Sequence, residues 1–134
     1  VTIARLQLER ITKRYPAVVA QALSQLRLAG VNGPYVLVLG EKAYAAVGGA
    51  SDEGYPLLKH IRPLLDRDIV WAPGIEGGVL LSTRGGDFSL HLGQDISIGY
   101  QSHSDDAVRL YLQESFTFRL LSPEAAVALT PPAK

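Results

Sequence analysis

The spacing of apolar residues changes once along this chain, near Asp68, and that change restricts the folds open to it. Up to about Leu65 the apolar residues recur mainly at helical spacing, around one continuous apolar run, YVLVLG. From Asp68 onward, short runs alternate apolar and polar residues and are separated by Gly, Pro, Asp or Ser. We therefore predict an α+β protein, with helices packed on a central sheet and followed by antiparallel strands.

Three helices and one strand are predicted before the change. The first helix should begin at Pro16, because proline suits the first helical position, and it should end at Gly30. The YVLVLG run is apolar on both faces, which predicts a strand in the interior of a sheet. Further helices are predicted from Glu41 to Val47 and from Pro56 to about Leu65, with Pro63 kinking or shortening the second.

The first 15 residues form an ambiguous, basic and amphipathic segment. Ile3, Leu6 and Arg10 would share a helical face, whereas Leu6 and Leu8 would share one face of a strand, so both structures stay open. The chain has no net charge, yet its first thirty residues carry five basic side chains against one acidic one. This asymmetry is typical of a solvated helix face or of a surface for an acidic partner. Nucleic acid is not expected, because the basic residues are not interleaved with aromatic ones.

Six strand-like runs begin at Asp68. They are DIVWAP at 68–73, GVLLST at 78–83, DFSLHL at 87–92, DISIGY at 95–100, AVRLYLQESFTFRLL at 107–121 and AAVALT at 125–130. The Gly85-Gly86 pair between two runs predicts a hairpin turn, because both central positions of such a turn favour positive φ. The second half is therefore predicted to be antiparallel sheet, and residues 130–134, with two prolines, to be a tail.

The composition excludes several classes of protein. Cysteine is absent, which excludes disulfides, thiolate metal sites and a cysteine nucleophile and agrees with a reducing compartment. The apolar runs, such as Tyr35 to Leu39, are far shorter than the roughly 20 residues that a membrane span requires. We therefore expect a soluble protein with no membrane partner. The chain opens at Val1 and contains no Met, as a fragment or a chain cut from a longer one would.

Ser97, His103 and the adjacent Asp105 and Asp106 are the strongest candidates for catalysis or metal binding. A hydrolase nucleophile needs a G-x-S-x-G turn between a strand and a helix, whereas Ser97 alternates with isoleucines inside a strand run. Neighbouring loop residues rarely converge on one point, and no second histidine stands at ligand spacing from His103. We predict a solvated turn there, with no metal, no cofactor and no enzymatic activity. A hydrolase or metal enzyme is the least favoured hypothesis.

The other polar residues of this half have equally plain structural interpretations. Asp87 and Asp95 would suit a carboxylate pair, but Gly-Gly-Asp and Gly-Gln-Asp are also common in turns. His91 faces outward on a strand run and His60 lies on a basic helix, so both are predicted at the surface. The paired glycines lack the strand, lysine and helix start that a phosphate-binding loop requires.

Three motifs follow one another in the β-rich half: RGGDF at 84–88, LGQDISIGY at 92–100 and ESFTF at 114–118. Together with the sequence around them, from Thr83 to Leu129, they resemble the C-terminal region of the encapsulins. This linocin-type bacteriocin family forms the shells of bacterial nanocompartments. Upstream, GVNGPYVLVL, the Gly-Tyr-Pro step at 54–56 and the Trp-Ala-Pro run at 71–73 fit that family in the same order. The resemblance covers nearly everything from about residue 16 to residue 129.

The resemblance implies a fragment of the tailed-phage major capsid fold. Residues 16–100 would form an axial-domain-like region and residues 101–129 peripheral-domain-like strands. It implies a subunit that self-assembles with identical copies into a closed shell in the cytoplasm. Such shells enclose cargo enzymes, often a ferritin-like iron-storage protein or a dye-decolorising peroxidase, which are captured through a short C-terminal targeting peptide.

The same resemblance implies a groove for the cargo peptide. Asp95, Ile98 and Tyr100 would lie near it on the lumenal side, since an apolar rim with one charge suits an extended apolar peptide. An aliphatic residue, an aromatic residue and a turn-capping carboxylate are also what a sheet core needs. Both interpretations of these three residues stay open.

A polar loop is predicted from Gly48 to Gly54, and it overlaps the segment that matches the family's loop at the five-fold axis. That segment consists of Ser51, Asp52, Glu53, Gly54 and Tyr55. If five copies meet there, its carboxylates would ring a pore. In a single copy it would be an ordinary polar loop.

Encapsulin subunits are about twice as long as this chain. The resemblance does not extend to the half that contains the lumen-lining helix, the interlocking loop and the long spine helix. Without that half, the strands around Val108 to Leu121 would expose an apolar face. Two hypotheses follow from the family: an assembling shell subunit, or an isolated or engineered domain that binds peptides or forms small oligomers without building a cage. A second polypeptide that supplies the missing half is a further alternative.

Overall fold

The computed structural model describes residues 4–7, 15–49, 51–52 and 55–130, which divide into two compact units. The sheet unit contains the residues up to Asp87 and those from Ser122 onward. The hairpin unit runs from Phe88 to Leu121. Predictions for residues 1–3, 8–14, 50, 53–54 and 131–134 lie outside the described residues.

Three helices belong to the sheet unit, and each was predicted from the sequence. They are α1 (Tyr15–Leu28), α2 (Glu41–Gly49) and α3 (Leu57–Ile61). The α3 helix tightens into a 3₁₀ turn at Arg62–Leu64, as expected where Pro63 removes a backbone donor. No helix in the described part of the chain is long and apolar enough to cross a membrane.

Nine strands occur in the described residues. In chain order they are β1 (Ala4–Gln7), β2 (Tyr35–Leu39), β3 (Ser51–Asp52), β4 (Tyr55–Pro56), β5 (Val70–Trp71), β6 (Gly78–Ser82), β7 (Phe88–His103), β8 (Val108–Leu120) and β9 (Ala126–Thr130). The first, second, fifth, sixth and ninth form one sheet in the order β1-β9-β6-β2-β5. The interior position predicted for β2 is confirmed, because it pairs with β5 on one side and with β6 on the other.

The core of the sheet unit lies between this sheet and the helices. The α1 helix turns toward it the residues that recur at helical spacing: Val18, Val19, Ala22, Leu23 and Leu26. Across from them, β2, β6 and β9 contribute Leu37, Leu80 and Leu129, none of which is accessible to solvent. Burying a side chain of this size stabilises the fold by roughly 1.5–3 kcal/mol. The sheet unit therefore has its own closed hydrophobic core.

The prediction of a wholly antiparallel second half was wrong for two strands, β5 and β9, each of which has one parallel neighbour. β6 pairs antiparallel with β2 and with β9, but Val70–Trp71 pairs in parallel with Val38–Leu39 of β2. The α2 and α3 helices lie in the connection between β2 and β5, which is long enough to return the chain in the same direction. At the other edge, Ala4–Gln7 pairs in parallel with β9, which decides the open question for these four residues in favour of a strand.

Two predicted boundaries were also wrong. Gly48 and Gly49, expected in a loop, belong to α2, and Ser51–Asp52 forms a strand against Tyr55–Pro56. Thr130, expected as the first residue of a tail, pairs with Gln7 as the last residue of β9.

The runs at 87–92 and 95–100 were predicted as separate strands, but the structure contains one continuous strand, β7. Its pairing with β8 shifts register between Leu92 and Gln94, between Gln94 and Ser97, and between Tyr100 and Ser102. Each shift places one extra residue on β7, so the Gly-Gln-Asp segment forms bulges rather than a turn.

The turn at Gly85-Gly86 has the predicted conformation but not the predicted role. Both residues have positive φ, at 94° and 83°. However, the strands on either side do not pair with each other: β6 pairs with β2 and β9, whereas β7 pairs with β8. The turn therefore passes the chain from one sheet to another.

Replacing Gly85 by Ala should destabilise the sheet unit by about 1–2 kcal/mol, because L-residues pay that much for a left-handed backbone. A Cβ at this position would meet open space, so the backbone alone sets the cost. The matched control is Gly48→Ala, which also adds a Cβ in open space, but inside α2. This control should stabilise the unit by about 0.4–1 kcal/mol. Urea unfolding followed by the fluorescence of the single tryptophan, Trp71, would measure both, and equal effects of the two substitutions would contradict the prediction.

Candidate functional site

The hairpin unit consists of β7 and β8 alone, and its side chains divide by face. β8 runs without a bulge, so its even-numbered and odd-numbered residues point to opposite sides. The even-numbered side and its partners on β7 form what we call the apolar face. It contains Phe88, Leu90, Leu92, Ile98, Tyr100 and His103 of β7 and Val108, Leu110, Leu112, Phe116, Phe118 and Leu120 of β8, together with the carboxylate of Glu114.

The opposite side, here called the polar face, has a different composition. It contains Ser89, His91, Gln94, Ser97, Arg109, Gln113, Ser115, Thr117 and Arg119, together with Tyr111. Tyr111 pairs with Gly99, and a Cβ on Gly99 would collide with the Tyr111 ring. The glycine of the ISIGY run thus makes room for a ring on the polar face.

The apolar face is exposed in the single chain. Leu112 retains 72% of its accessible surface and Phe118 60%, whereas the leucines of the sheet-unit core retain none. The rings of Phe88 and Phe118 stack with centroids 6.3 Å apart, but neither face of the hairpin is covered by a further element of its unit. A strand of 13 residues is about 40 Å long, so the face extends much farther than the scattered apolar residues normal at a surface.

An isolated two-stranded hairpin is at best marginally stable in water. Each large apolar side chain that a partner covered would contribute roughly 1.5–3 kcal/mol, and the apolar face carries about ten of them. Contiguous exposed patches of this size mark interaction surfaces in soluble proteins. The apolar face is therefore the main candidate for a functional surface.

Two of the three residues expected at a cargo groove lie side by side on this face. Ile98 pairs with Leu112 and Tyr100 with Leu110, and both side chains are exposed. Asp95 lies at a bulge, where its carboxylate accepts a hydrogen bond of 2.8 Å from the backbone N–H of Ile96. That bond is typical of a local cap, while the two neighbours are available to a ligand, so the groove stays a prediction.

The loop expected at the five-fold axis is described only at its base. Ser51 pairs with Pro56 and Asp52 with Tyr55, which makes a short ladder around positions 53–54. Glu53 and Gly54 themselves lie outside the described residues. The pore function of this loop stays a prediction.

The residues considered for catalysis lie apart along the hairpin. Ser97 accepts a hydrogen bond from Gln94 and donates one to the backbone carbonyl of Gln113. His103 is six residues farther along the same strand, or about 20 Å away, and contacts the hydroxyl of Tyr100. Ser97 thus supports the hairpin backbone and has no base beside it.

The acidic candidates do not complete a site either. Asp105 and Asp106 are exposed in the turn between the strands, where the N–H of Ser104 donates to the carbonyl of Ala107. Among the described residues, no group of three or more His, Asp or Glu side chains is placed to hold a metal ion. The solvated turn predicted around His103 agrees with this geometry.

A concave region lies on the sheet unit. An open cavity there is lined by Val36, Leu65 and Val70 and by four charged residues, Arg62, Asp66, Arg67 and Asp68. The Asp66 carboxylate accepts a hydrogen bond of 2.8 Å from the backbone N–H of Tyr35, so it holds the start of β2. The cavity is wide and contains no convergent set of polar groups of the kind that binds a small molecule.

One pair of residues that the sequence analysis did not single out is prominent in the structure. Arg84 and Asp87 form a bidentate ion pair across the two glycines of the RGGDF motif. The i, i+3 spacing of opposite charges around a Gly-Gly turn is the signal from which the pair could have been predicted.

Comparison with known proteins agrees with these observations. A family model described as "Encapsulating protein for peroxidase" matches residues 2–117. A type 1 encapsulin shell protein from Rhodococcus erythropolis is 56% identical over 117 residues, which are 87% of this chain and 44% of that protein. One from Mycobacterium tuberculosis is 54% identical over 118 residues, covering 88% of this chain and 44% of that protein. The chain thus spans less than half the length of these relatives.

Two solved structures have a similar backbone. The crystal structure of a virus-like particle from Pyrococcus furiosus matches with a TM-score of 0.73 and 20% identity, over 95% of this chain and 56% of that chain. A protein of Mycobacterium phage Che8 matches with a TM-score of 0.65 and 13% identity, over 93% of this chain and 52% of that one. These likenesses confirm a capsid-like α+β fold. Together with the family match over most of the chain, they show that this protein belongs to the encapsulin family.

Proposed function

We propose that this chain is a structural subunit of an encapsulin nanocompartment, in which identical copies assemble into a closed shell around cargo enzymes. The observation that carries the proposal is the exposed apolar face of a chain from a family of shell proteins. An exposed apolar surface of this kind acts by packing against another protein surface. The function of such a subunit lies in its contacts, and it needs neither a reacting group nor a cofactor.

Closed shells are built from contacts that differ on the two partners and close under symmetry. Each contact can be modest, because many act together. In such an assembly the hairpin offers a row of apolar side chains on one face and hydrogen-bonding side chains on the other. The apolar face would be covered by protein, and the polar face would remain compatible with water.

The cargo proposal concerns the same hairpin. An extended peptide with apolar side chains would lie against Ile98 and Tyr100, with Asp95 at the rim. The family description names a peroxidase as the encapsulated protein, which favours a dye-decolorising peroxidase as cargo. A ferritin-like iron-storage protein is the other cargo that the sequence resemblance implies. The targeting peptide would be the C-terminal segment of that cargo, and the shell would reside in the cytoplasm.

The proposed pore has the simplest basis. The backbone pairing of Ser51–Asp52 with Tyr55–Pro56 brings the two ends of the predicted pore segment together. Five copies around an axis would bring five such loops together, and Asp52 and Glu53 would then give the opening a negative lining.

A second candidate function follows from the length of the chain. It spans 44% of its shell-protein relatives, and the apolar face is uncovered in the single chain. Both observations also fit an encapsulin-derived domain that binds peptides or forms small oligomers without building a cage. Particle size separates this alternative from a shell subunit.

The shell proposal predicts large, uniform, hollow particles in light scattering and negative-stain microscopy. Phe118→Asp should abolish them, because it places a charge among the paired apolar side chains of the apolar face. The matched control is Thr117→Asp, which introduces the same charge at the adjacent position on the polar face and should leave particle size unchanged. Far-UV circular dichroism should show that both variants keep their sheet content. Monomers or small rings from the unsubstituted protein would contradict the shell proposal and support the alternative.

The cargo proposal predicts saturable binding of a fluorescent peptide that carries the C-terminal sequence of a ferritin-like or peroxidase cargo. Tyr100→Ala should weaken the affinity at least about tenfold, since a buried aromatic anchor at an interface typically contributes more than 1 kcal/mol. Tyr111→Ala removes the same ring from the polar face and should change the affinity little. Equal losses from the two substitutions, or binding that does not saturate, would contradict the proposed groove.

A further inference from the structure

The chain leaves the sheet unit at Asp87 and re-enters it at Ser122. These two residues are joined directly, because the backbone N–H of Ser122 donates a hydrogen bond of 3.1 Å to the backbone carbonyl of Asp87. This backbone bond joins the residues on either side of the 34-residue segment that forms the hairpin unit. We call this pair of chain crossings, at Asp87 and Ser122, the neck. Whatever holds Asp87 in place therefore also holds the returning chain.

The side chain of Asp87 is held by Arg84. The guanidinium donates from Nε to Oδ2 and from Nη2 to Oδ1, each at 2.9 Å. Asp87 is 3% exposed, so water does not replace these bonds easily. Parallel bonds from a planar guanidinium to a carboxylate are among the strongest and most directional contacts that side chains make.

Arg84 also connects the neck to the end of the first helix. Its Nη1 donates to the carbonyl of Gly30, the residue of positive φ that follows α1, at 3.3 Å. Its backbone N–H donates to the hydroxyl of Ser82, which in turn donates to the carbonyl of Asn32 at 2.6 Å. The ion pair is thus anchored on two sides within the sheet unit.

We propose that Arg84, Asp87 and Ser122 form an acid-opened lock that keeps the two chain crossings of the neck together. Protonation of the Asp87 carboxylate removes one acceptor from the bidentate pair and leaves a guanidinium facing a neutral acid. The restraint on Asp87 then weakens, and with it the backbone bond to Ser122. This inference concerns the chain itself and does not depend on the shell proposal.

The charges around the pair determine the sign of the effect. The hydrogen bonds from Arg84 lower the pKa of the Asp87 carboxyl, burial opposes this, and the Ser122 side chain adds a smaller lowering. Arg84 in turn faces Glu124 and Tyr35 besides Asp87. Because the pKa of Asp87 is lower in the folded state, its contribution to stability is complete above the unfolded-state pKa. That contribution is lost as the pH falls through the folded-state pKa.

Asp87→Asn tests the lock, because it keeps the shape of the side chain and removes the titration. At neutral pH the variant should lower the folding equilibrium constant of the sheet unit roughly ten- to a hundredfold, as loss of a hydrogen bond to a charged group does when only one partner is buried. The difference between the two proteins should shrink steadily as the pH falls below about 3.9, the pKa of an aspartate in an unfolded chain, because the unfolded protein then binds a proton before the folded protein does. Urea unfolding followed by Trp71 fluorescence measures both constants. Asp105→Asn, in the exposed turn, should follow the unsubstituted protein at every pH.

A second measurement on the unsubstituted protein decides the matter even if Asp87→Asn does not fold. The amide of Ser122 should lose protection from hydrogen exchange as the pH is lowered from about 7 to below the folded-state pKa of Asp87, after correction for intrinsic rates. The matched control is the amide of Ala72, which donates to the carbonyl of Leu39 at 2.8 Å, in a peptide group whose N–H donates to the backbone carbonyl of Gly77 and not to a carboxylate. Parallel behaviour of the two amides would overturn the proposal. An unchanged difference between the unsubstituted protein and Asp87→Asn across the pH range would overturn it equally.

Discussion

The unburied apolar face of the β7–β8 hairpin is the constraint on which the rest of this structure depends. The sheet unit has its own closed core, in which Leu37 of β2, Leu80 of β6 and Leu129 of β9 are fully buried. The hairpin cannot do the same with two strands, because a single ribbon has no second layer to pack against. The chain therefore combines a unit that has its own closed core with a hairpin unit whose apolar face is exposed in the single chain. That division suits the proposed role as a subunit of a larger assembly, in which another protein surface would cover the hairpin.

Local pattern predicted the elements better than their connections. The α1 helix, the β2 strand and the alternation of β8 follow from spacing alone, because a 3.6-residue or a 2-residue period is a local property. The Gly85-Gly86 turn shows the limit of local pattern. Its backbone conformation follows from two adjacent glycines, but strand pairing depends on residues distant in sequence. β6 therefore pairs with β2 and β9, whereas β7 pairs with β8. The parallel strand at Val70–Trp71 was missed for the same reason.

The candidate groove was predictable only in part. Ile98 and Tyr100 lie two residues apart, so strand alternation alone places them on one face, as the pairing with β8 confirms. Asp95 could not be placed in this way, because the bulge between Gln94 and Ser97 breaks the alternation that relates it to its neighbours. The Arg84–Asp87 pair escaped prediction because turn chemistry and ion pairing use the same four residues. Only the burial of Asp87 shows that both operate.

The polar side chains of the β-rich half share one role, which is to satisfy the backbone. The carboxylate of Asp95 accepts from the amide next to it, Ser97 donates to a carbonyl of the facing strand, and Ser82 donates to the loop after α1. Asp87 is the exception in strength, because it alone among these four is both buried and paired with a cation. A neutral acceptor would keep its hydrogen bonds at every pH, whereas the bonds between Arg84 and the buried Asp87 carboxylate depend on the charge of that carboxylate. With an ion pair at this position, the proposed restraint between Asp87 and Ser122 depends on pH.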